Sequence, residues 1–238
     1  MEHLAARLAT IPGVVAVTLG GSRARGEERE GSDWDFGLYY RGRFDPEPIR
    51  SLGYEGTVFG PGEWGSIVNG GAWLEIEGER VDLIYRDLDE VERWVAAAAE
   101  GRFEVRREVG YVAGIATYIL AGELAIAKVL HGTLPRPEFS DALVASAPTW
   151  WFHIARMALQ IADAHAARDD AVATCANVTQ AALACAQGRL AARKRWVLNE
   201  KGIVTRAGLE RVETILCEEV RAPRRLVAAA RAALDLPQ

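Results

Sequence analysis

Apolar and polar positions change character along the chain near residue 110. Before that point, short β-branched and aromatic runs are punctuated by Gly, Pro and Trp; beyond it, long Ala- and Leu-rich stretches carry helical spacing. Residues 2–10 predict a short helix, halted by Pro12-Gly13. Residues 14–19, VVAVTL, form a β-branched run that predicts a buried strand, broken by Gly20-Gly21. Residues 22–25 begin a helix with Ser22 near its start. Residues 33–40, DWDFGLYY, predict a second strand, and residues 45–52 a weak helix. Residues 73–76 and 80–85 flank Glu77-Gly78-Glu79, a hairpin signal. Residues 88–99 predict a helix stopped by Gly101, and residues 103–109 a further strand.

The second half predicts helices over residues 115–130, 149–167, 171–193, 205–219 and 222–234. Trp151, Ile154, Ala155, Ala158, Ile161 and Ala162 mark one apolar face. Pro148 fits a helix start, and Thr205 is placed to cap another. The expected fold is α+β: a small mixed-sheet domain over residues 1–110, then a C-terminal α-helical bundle over residues 111–238. An apolar helix face left exposed in such a bundle would pair two copies into a homodimer.

Composition narrows the class. The chain has 238 residues, 50% hydrophobic and 26% charged, so it can bury a core and is neither disordered nor collagen-like. No run of about 18 apolar residues occurs, so no membrane helix is expected. The early charges of residues 1–13 predict no signal peptide. Cys175, Cys185 and Cys217 form no CxxC pair and lie in apolar helical stretches, which predicts buried, reduced thiols and a cytoplasmic protein.

Net charge is −5, divided unevenly: residues 1–120 carry 13 basic and 21 acidic residues. A partner as anionic as a long nucleic acid calls for basic excess, so none is expected.

Candidate chemistry concentrates in three places: Gly20-Gly21-Ser22, Asp33-Trp34-Asp35, and Asp82 within VDLI. In a strand, residues i and i+2 share a face, so Asp33 and Asp35 project two carboxylates side by side. Such carboxylates repel unless a cation lies between them. If the strand of Asp82 pairs beside residues 33–40, a third carboxylate joins that face. Three carboxylates are hard oxygen donors suited to Mg²⁺, and two such ions about 3.5–4 Å apart can bridge a phosphate with its attacking and leaving oxygens. The glycine turn lets backbone N–H groups approach an anion, a helix N-terminus favours negative charge, and Ser22 can donate its hydroxyl to a phosphate oxygen.

Gly21-Ser22, the Asp33-x-Asp35 pair eleven residues beyond Ser22, and the later strand acid Asp82 resemble the signature of the polymerase β-type nucleotidyltransferase superfamily. The match covers residues 14–85. A short catalytic domain followed by helices resembles the aminoglycoside nucleotidyltransferase branch. The resemblance implies Mg²⁺ and ATP or another nucleoside triphosphate, with transfer of the nucleoside monophosphate to a hydroxyl of a small acceptor such as an aminoglycoside-like antibiotic. It implies Asp33, Asp35 and Asp82 as metal ligands, with Asp82 also able to take the hydroxyl proton. It implies Gly20, Gly21 and Ser22 at the triphosphate. Alternatives are nucleotidylation of a protein side chain and a catalytically silent nucleotide-binding protein.

Other candidates carry less pattern. Glu123 stands in an otherwise apolar stretch; it reads either as a surface charge or as one half of a buried pair with arginine, and relatives in the branch use a helical-domain glutamate as general base. Lys201 and Arg25 could reach phosphate. Gly60-Pro61-Gly62-Glu63-Trp64-Gly65 fits GxGxxG, but Pro61 removes an amide donor and Asn69-Gly70-Gly71 breaks the helix a dinucleotide site requires, so a loop at the rim of the active site is expected.

Overall fold

The computed structural model describes residues 1–237. The chain divides into two compact units, each drawn from two stretches: Met1–Ala97 with Thr117–Glu138, and Ala98–Ala116 with the chain from Phe139 onward.

The first unit contains α1 (Glu2–Leu8), β1 (Val14–Leu19), α2 (Gly21–Arg25), β2 (Trp34–Tyr40), α3 (Glu47–Arg50), β3 (Glu55–Val58), β4 (Gly71–Ile76), β5 (Glu79–Asp87), most of α4 (Leu88–Ala99), α5 (Ile119–Ile126) and β8 (Lys128–His131). Its six strands form one sheet in the order β3-β4-β5-β2-β1-β8. β2 and β5 run parallel and every other pair is antiparallel, so the sheet is mixed. The β4–β5 hairpin turns on Glu77 and Gly78, both at positive φ (55° and 78°), as a two-residue turn matching strand twist requires.

Alternation along the strands separates two faces. Val17, Leu19, Phe36, Leu38, Tyr40, Val81, Leu83, Tyr85, Ala72, Leu74 and Ile76 share a core with Leu4, Leu8 and Ile49 from α1 and α3. The residues between them, among them Asp35, Gly37, Tyr39, Asp82, Ile84 and Arg86, occupy the opposite face.

The second unit holds β6 (Val105–Arg106), β7 (Ile115–Ala116), α6 (Asp141–Ala166), α7 (Ala171–Ala192), α8 (Ile203–Arg206), α9 (Arg211–Glu219) and α10 (Pro223–Leu234). The long helices α6 and α7 pack together as its centre. No helix of the described residues is long and apolar enough to cross a membrane.

Several elements differ from the sequence expectation. The helix expected over 115–130 shortens to α5: Ala127 turns extended (ψ 147°), and Lys128 to His131 pair with β1 as an edge strand. Ladder bonds to β1 outweigh the local helical pattern there. Pro148 lies inside α6 rather than at its start, because Ser140 caps that helix, its side chain accepting the Leu143 N–H at 3.0 Å. The helix expected over 205–219 splits at Gly208 (φ 72°), and Thr205 lies within α8 instead of capping a helix. The strand expected over 103–109 is only the two residues of β6, and β3 was not anticipated. On the α6 face Trp151, Ala155 and Ala162 are fully buried, but Ile161 is exposed. Cys185 is buried and Cys175 half-buried, whereas Cys217 is exposed, contrary to the expectation of three buried thiols.

Candidate active site

Four strands contribute to one transverse row. Gly20, directly after β1, donates its N–H to the Asp35 carbonyl at 2.7 Å. Asp35 stands in register with Asp82 across the parallel β2–β5 pair, and Asp82 with Trp73 across β5–β4. Registered partners share a face, so the Asp35, Asp82 and Trp73 side chains lie side by side on the face away from the core. The pairing on which a place for Asp82 beside residues 33–40 depended is present, and it is parallel.

Gly20 and Gly21 explain the close approach at the head of the row. Gly21 adopts φ +61°, and a Cβ there would stand 1.7 Å from Asp35 Oδ2. The Asp35 carboxylate thus lies directly against the turn. Ser22 follows, half-buried, in α2. Because α2 is only five residues long, the anion-binding potential of this corner rests on the amides of the turn, not on a developed helix dipole.

Asp33 precedes β2. Arg80 Nε lies 2.7 Å from Asp33 Oδ1, at an angle that leaves this buried oxygen without a true hydrogen bond. Among the described residues no three His, Cys, Asp or Glu side chains converge to hold a metal ion. Register unites Asp35 with Asp82, while Asp33 turns to Arg80; the expected gathering of all three is incomplete for that reason. The Arg80 side chain is 72% exposed, so the pair is a weak, solvent-screened one. The donor set itself, carboxylate oxygens with one buried oxygen unsatisfied, fits a hard divalent cation.

Arg23, unnoticed in the sequence, organises the loop before Asp33. Its guanidinium donates to the Ser32 carbonyl at 2.7 Å and to the Asp33 carbonyl at 3.2 Å. It also stacks over Trp34, 4.1 Å from the ring centroid. One arginine among 25 carries no pattern by which sequence alone could single it out.

Glu123 is one half of a buried ion pair, one of the two roles its apolar surroundings allowed. Arg86 Nε and Nη2 donate to its two oxygens at 2.7 and 2.6 Å, with the side chains 5% and 21% exposed. Arg86 Nη1 also donates to the Val68 carbonyl at 2.7 Å. Tyr39, alongside Arg86 in register, is buried; desolvation, reinforced by the Glu123 charge, pushes its phenol well above the ordinary range.

Arg25 bonds Glu27 at 2.7 Å. Lys201 belongs to the second unit, exposed in the turn before α8, with its backbone N–H donated to Asn199 Oδ1.

The glycine-rich segment around Trp64 is a loop, held by Asn69: its Oδ1 accepts from Gly62 N–H, its carbonyl from Trp64 N–H, and its Nδ2 donates to Tyr40 Oη. The loop lays Trp64 over Gly71, where a Cβ would stand 2.5 Å from the indole. Trp64 stacks on Trp73 (centroids 5.2 Å, planes 24° apart), and Phe59 packs against both. Trp73 remains 54% exposed, while Trp64 Nε1 is buried without a hydrogen-bond partner.

Residues 1–98 match the family model of the nucleotidyltransferase domain. No curated protein matches the chain. Among solved structures, a nucleotidyltransferase-like protein from Exiguobacterium sibiricum 255-15 aligns over 98% of this chain and 72% of its own, at 12% identity and a TM-score of 0.47.

Proposed function

We propose, from the premise that residues 1–98 are a nucleotidyltransferase domain and that such a domain transfers a nucleoside monophosphate, that the acceptor here is a hydroxyl of a small molecule. The observation carrying this reading is the row in which a glycine turn, Asp35 and Asp82 stand on neighbouring strands. An amide-lined turn suits the triphosphate, and the adjoining carboxylates suit the charge that accompanies it.

In this reading Gly20, Gly21 and Ser22 hold the β- and γ-phosphates. Asp35 and Asp82, with Asp33 as a third carboxylate if it exchanges Arg80 for the cation, would hold Mg²⁺. Bound there, Mg²⁺ would supply charge neutralisation on the phosphate oxygens. Asp82 accepts the proton of the acceptor hydroxyl. A new bond forms between that oxygen and the α-phosphorus, the bond from the α-phosphorus to the bridging oxygen breaks, and pyrophosphate leaves with the electron pair. Arg25 reaches phosphate by exchanging Glu27 for it. Glu123, occupied on both oxygens, neutralises Arg86, which in turn holds the Val68 carbonyl, rather than acting as the base. The acceptor class is an aminoglycoside-like compound and the donor is ATP or another nucleoside triphosphate; the cytoplasm supplies both nucleotide and Mg²⁺.

The test is incubation with Mg²⁺, each of the four common ribonucleoside triphosphates, and a panel of aminoglycosides and lincosamides, following adduct mass and pyrophosphate. An adduct heavier by one nucleoside monophosphate, with one pyrophosphate released, is expected. Failure to bind any of the four nucleotides in the presence of Mg²⁺ overturns the reading.

A further inference from the structure

The row that begins at Gly20 does not end at Asp82; it ends at an exposed indole. Trp73 is the registered partner of Asp82 on β4, on the side away from the glycine turn. Neighbouring strands lie about 4.8 Å apart, which puts Trp73 about 14 Å across the sheet from the turn that follows β1. If the leaving pyrophosphate is held at that turn, the direction of the reaction along the row is set. Phosphoryl-transfer geometry keeps the attacking and leaving oxygens roughly in line on opposite sides of phosphorus. The attacking hydroxyl therefore approaches from the β5–β4 side, past Asp82, and the body of the molecule carrying it extends over Trp73.

The surface met there is built. Trp73 is backed by Trp64 and Phe59, and Trp64 is seated on Gly71 by a loop that Asn69 anchors with four hydrogen bonds. The stack persists although it leaves Trp64 Nε1 buried without a hydrogen-bond partner. A flat apolar face beside two carboxylates matches a ligand with an apolar ring face and polar edges. The ring face packs on the indole while the reacting hydroxyl meets Asp82.

We propose that Trp73, backed by Trp64, is the seat for a saccharide-type ring of the acceptor, and that it sets acceptor specificity without contributing to nucleotide binding. This rests on the nucleotidyl-transfer reading above. The nucleobase is the competing occupant, and the two assignments separate experimentally.

The experiment compares the full-length protein with Trp73→Ala and Trp73→Phe. Calorimetric titration with Mg²⁺-ATP, or whichever nucleotide the unmodified protein prefers, reads nucleotide affinity. Steady-state kinetics with the best aminoglycoside or lincosamide substrate read acceptor KM and kcat. Trp73→Ala is expected to raise acceptor KM at least tenfold, change kcat less than threefold, and leave nucleotide Kd within twofold. Trp73→Phe is expected to recover most of the KM. Half-exposure of the ring makes misfolding of either variant an unneeded explanation, and matching thermal melts check it. A fivefold or greater rise in nucleotide Kd would assign the platform to the base and overturn the proposal, as would an unchanged acceptor KM. Absence of nucleotide binding by the unmodified protein defeats the transfer reading itself, whereas normal nucleotide binding and transfer with an indifferent Trp73 defeats only the acceptor seat.

Discussion

The Asp35 carboxylate fills the space that a side chain at Gly21 would need: a Cβ there would stand 1.7 Å from Asp35 Oδ2. The turn and the carboxylate are packed against each other, so bulk added at Gly21 must displace Asp35. Gly21→Ala is expected to weaken Mg²⁺-nucleotide binding at least tenfold by displacing Asp35, beyond the roughly 1–2 kcal/mol of left-handed strain that alanine brings. Gly26→Ala is the control. Gly26 has a similar φ of +66° but nothing within 4 Å of its Cβ, so only the strain appears. Calorimetric binding and thermal melts of the two variants distinguish displacement from strain.

Asp35 and Asp82 face one another in register, and the proposed chemistry needs both charges. Asp35→Asn and Asp82→Asn are each expected to lower kcat by about 10²–10³-fold, the range seen when one electrostatic contact to a transition state is lost. Circular dichroism should be unchanged, since neither residue belongs to the apolar core. Activity within tenfold of the unmodified protein for either variant would contradict the assignment.

Arg86 and Glu123 form a bidentate pair, both well shielded from solvent. Removing one partner leaves an uncompensated charge. Arg86→Met is expected to destabilise the first unit by about 3–5 kcal/mol, and the double variant Arg86→Met, Glu123→Leu to recover much of that loss. Urea unfolding followed by tryptophan fluorescence measures both. A double variant no more stable than Arg86→Met would show that Glu123 does not carry the residual penalty.

Burial pushes the Cys185 thiol up to about 11 and raises the phenols of Tyr39 and Tyr85. Each group stays protonated in the fold at pH values where the unfolded chain has begun to ionise. The folded state then binds more protons than the unfolded one, so stability falls as pH rises. The decline begins near pH 9, the ordinary thiol value, and continues through about 11 for Cys185. The urea midpoint should hold steady between pH 7 and 8.5 and drop progressively above 9. In the same range Cys217, which is exposed, should react with a thiol reagent in the native protein, whereas Cys185 should react only on unfolding.

Arg23 holds the Ser32 and Asp33 carbonyls. Arg23→Ala leaves both to water or unsatisfied, and is expected to cost about 1–3 kcal/mol. It should also raise the Mg²⁺ concentration needed for half-maximal turnover, since Asp33 loses its tether. Arg25→Ala, on the same short helix and bonded to exposed Glu27 two residues away, should alter stability by less than about 1 kcal/mol.

Local sequence was enough for the parts of this protein whose physics is local. The VVAVTL run, the glycine break, the DWDFGLYY alternation and the Glu77-Gly78 hairpin each specify their backbone by sterics and side-chain periodicity within a few residues. From them follow β1, α2, β2 and the β4–β5 hairpin; the side-by-side placement of Asp33 and Asp35 does not, because β2 begins only at Trp34 and Asp33 pairs with Arg80. Register and partner choice are different in kind, because they depend on residues far apart in the chain. Only the folded sheet decides that Asp82 stands opposite Asp35, that residues 128–131 leave a helical pattern to extend β1, and that Arg86 consumes Glu123. The indole platform is the clearest case. The glycines around Trp64 mark a loop but not its destination: Trp64, Gly71 and Trp73 meet because a loop anchored by Asn69 folds back over a strand whose missing side chain leaves room for a ring.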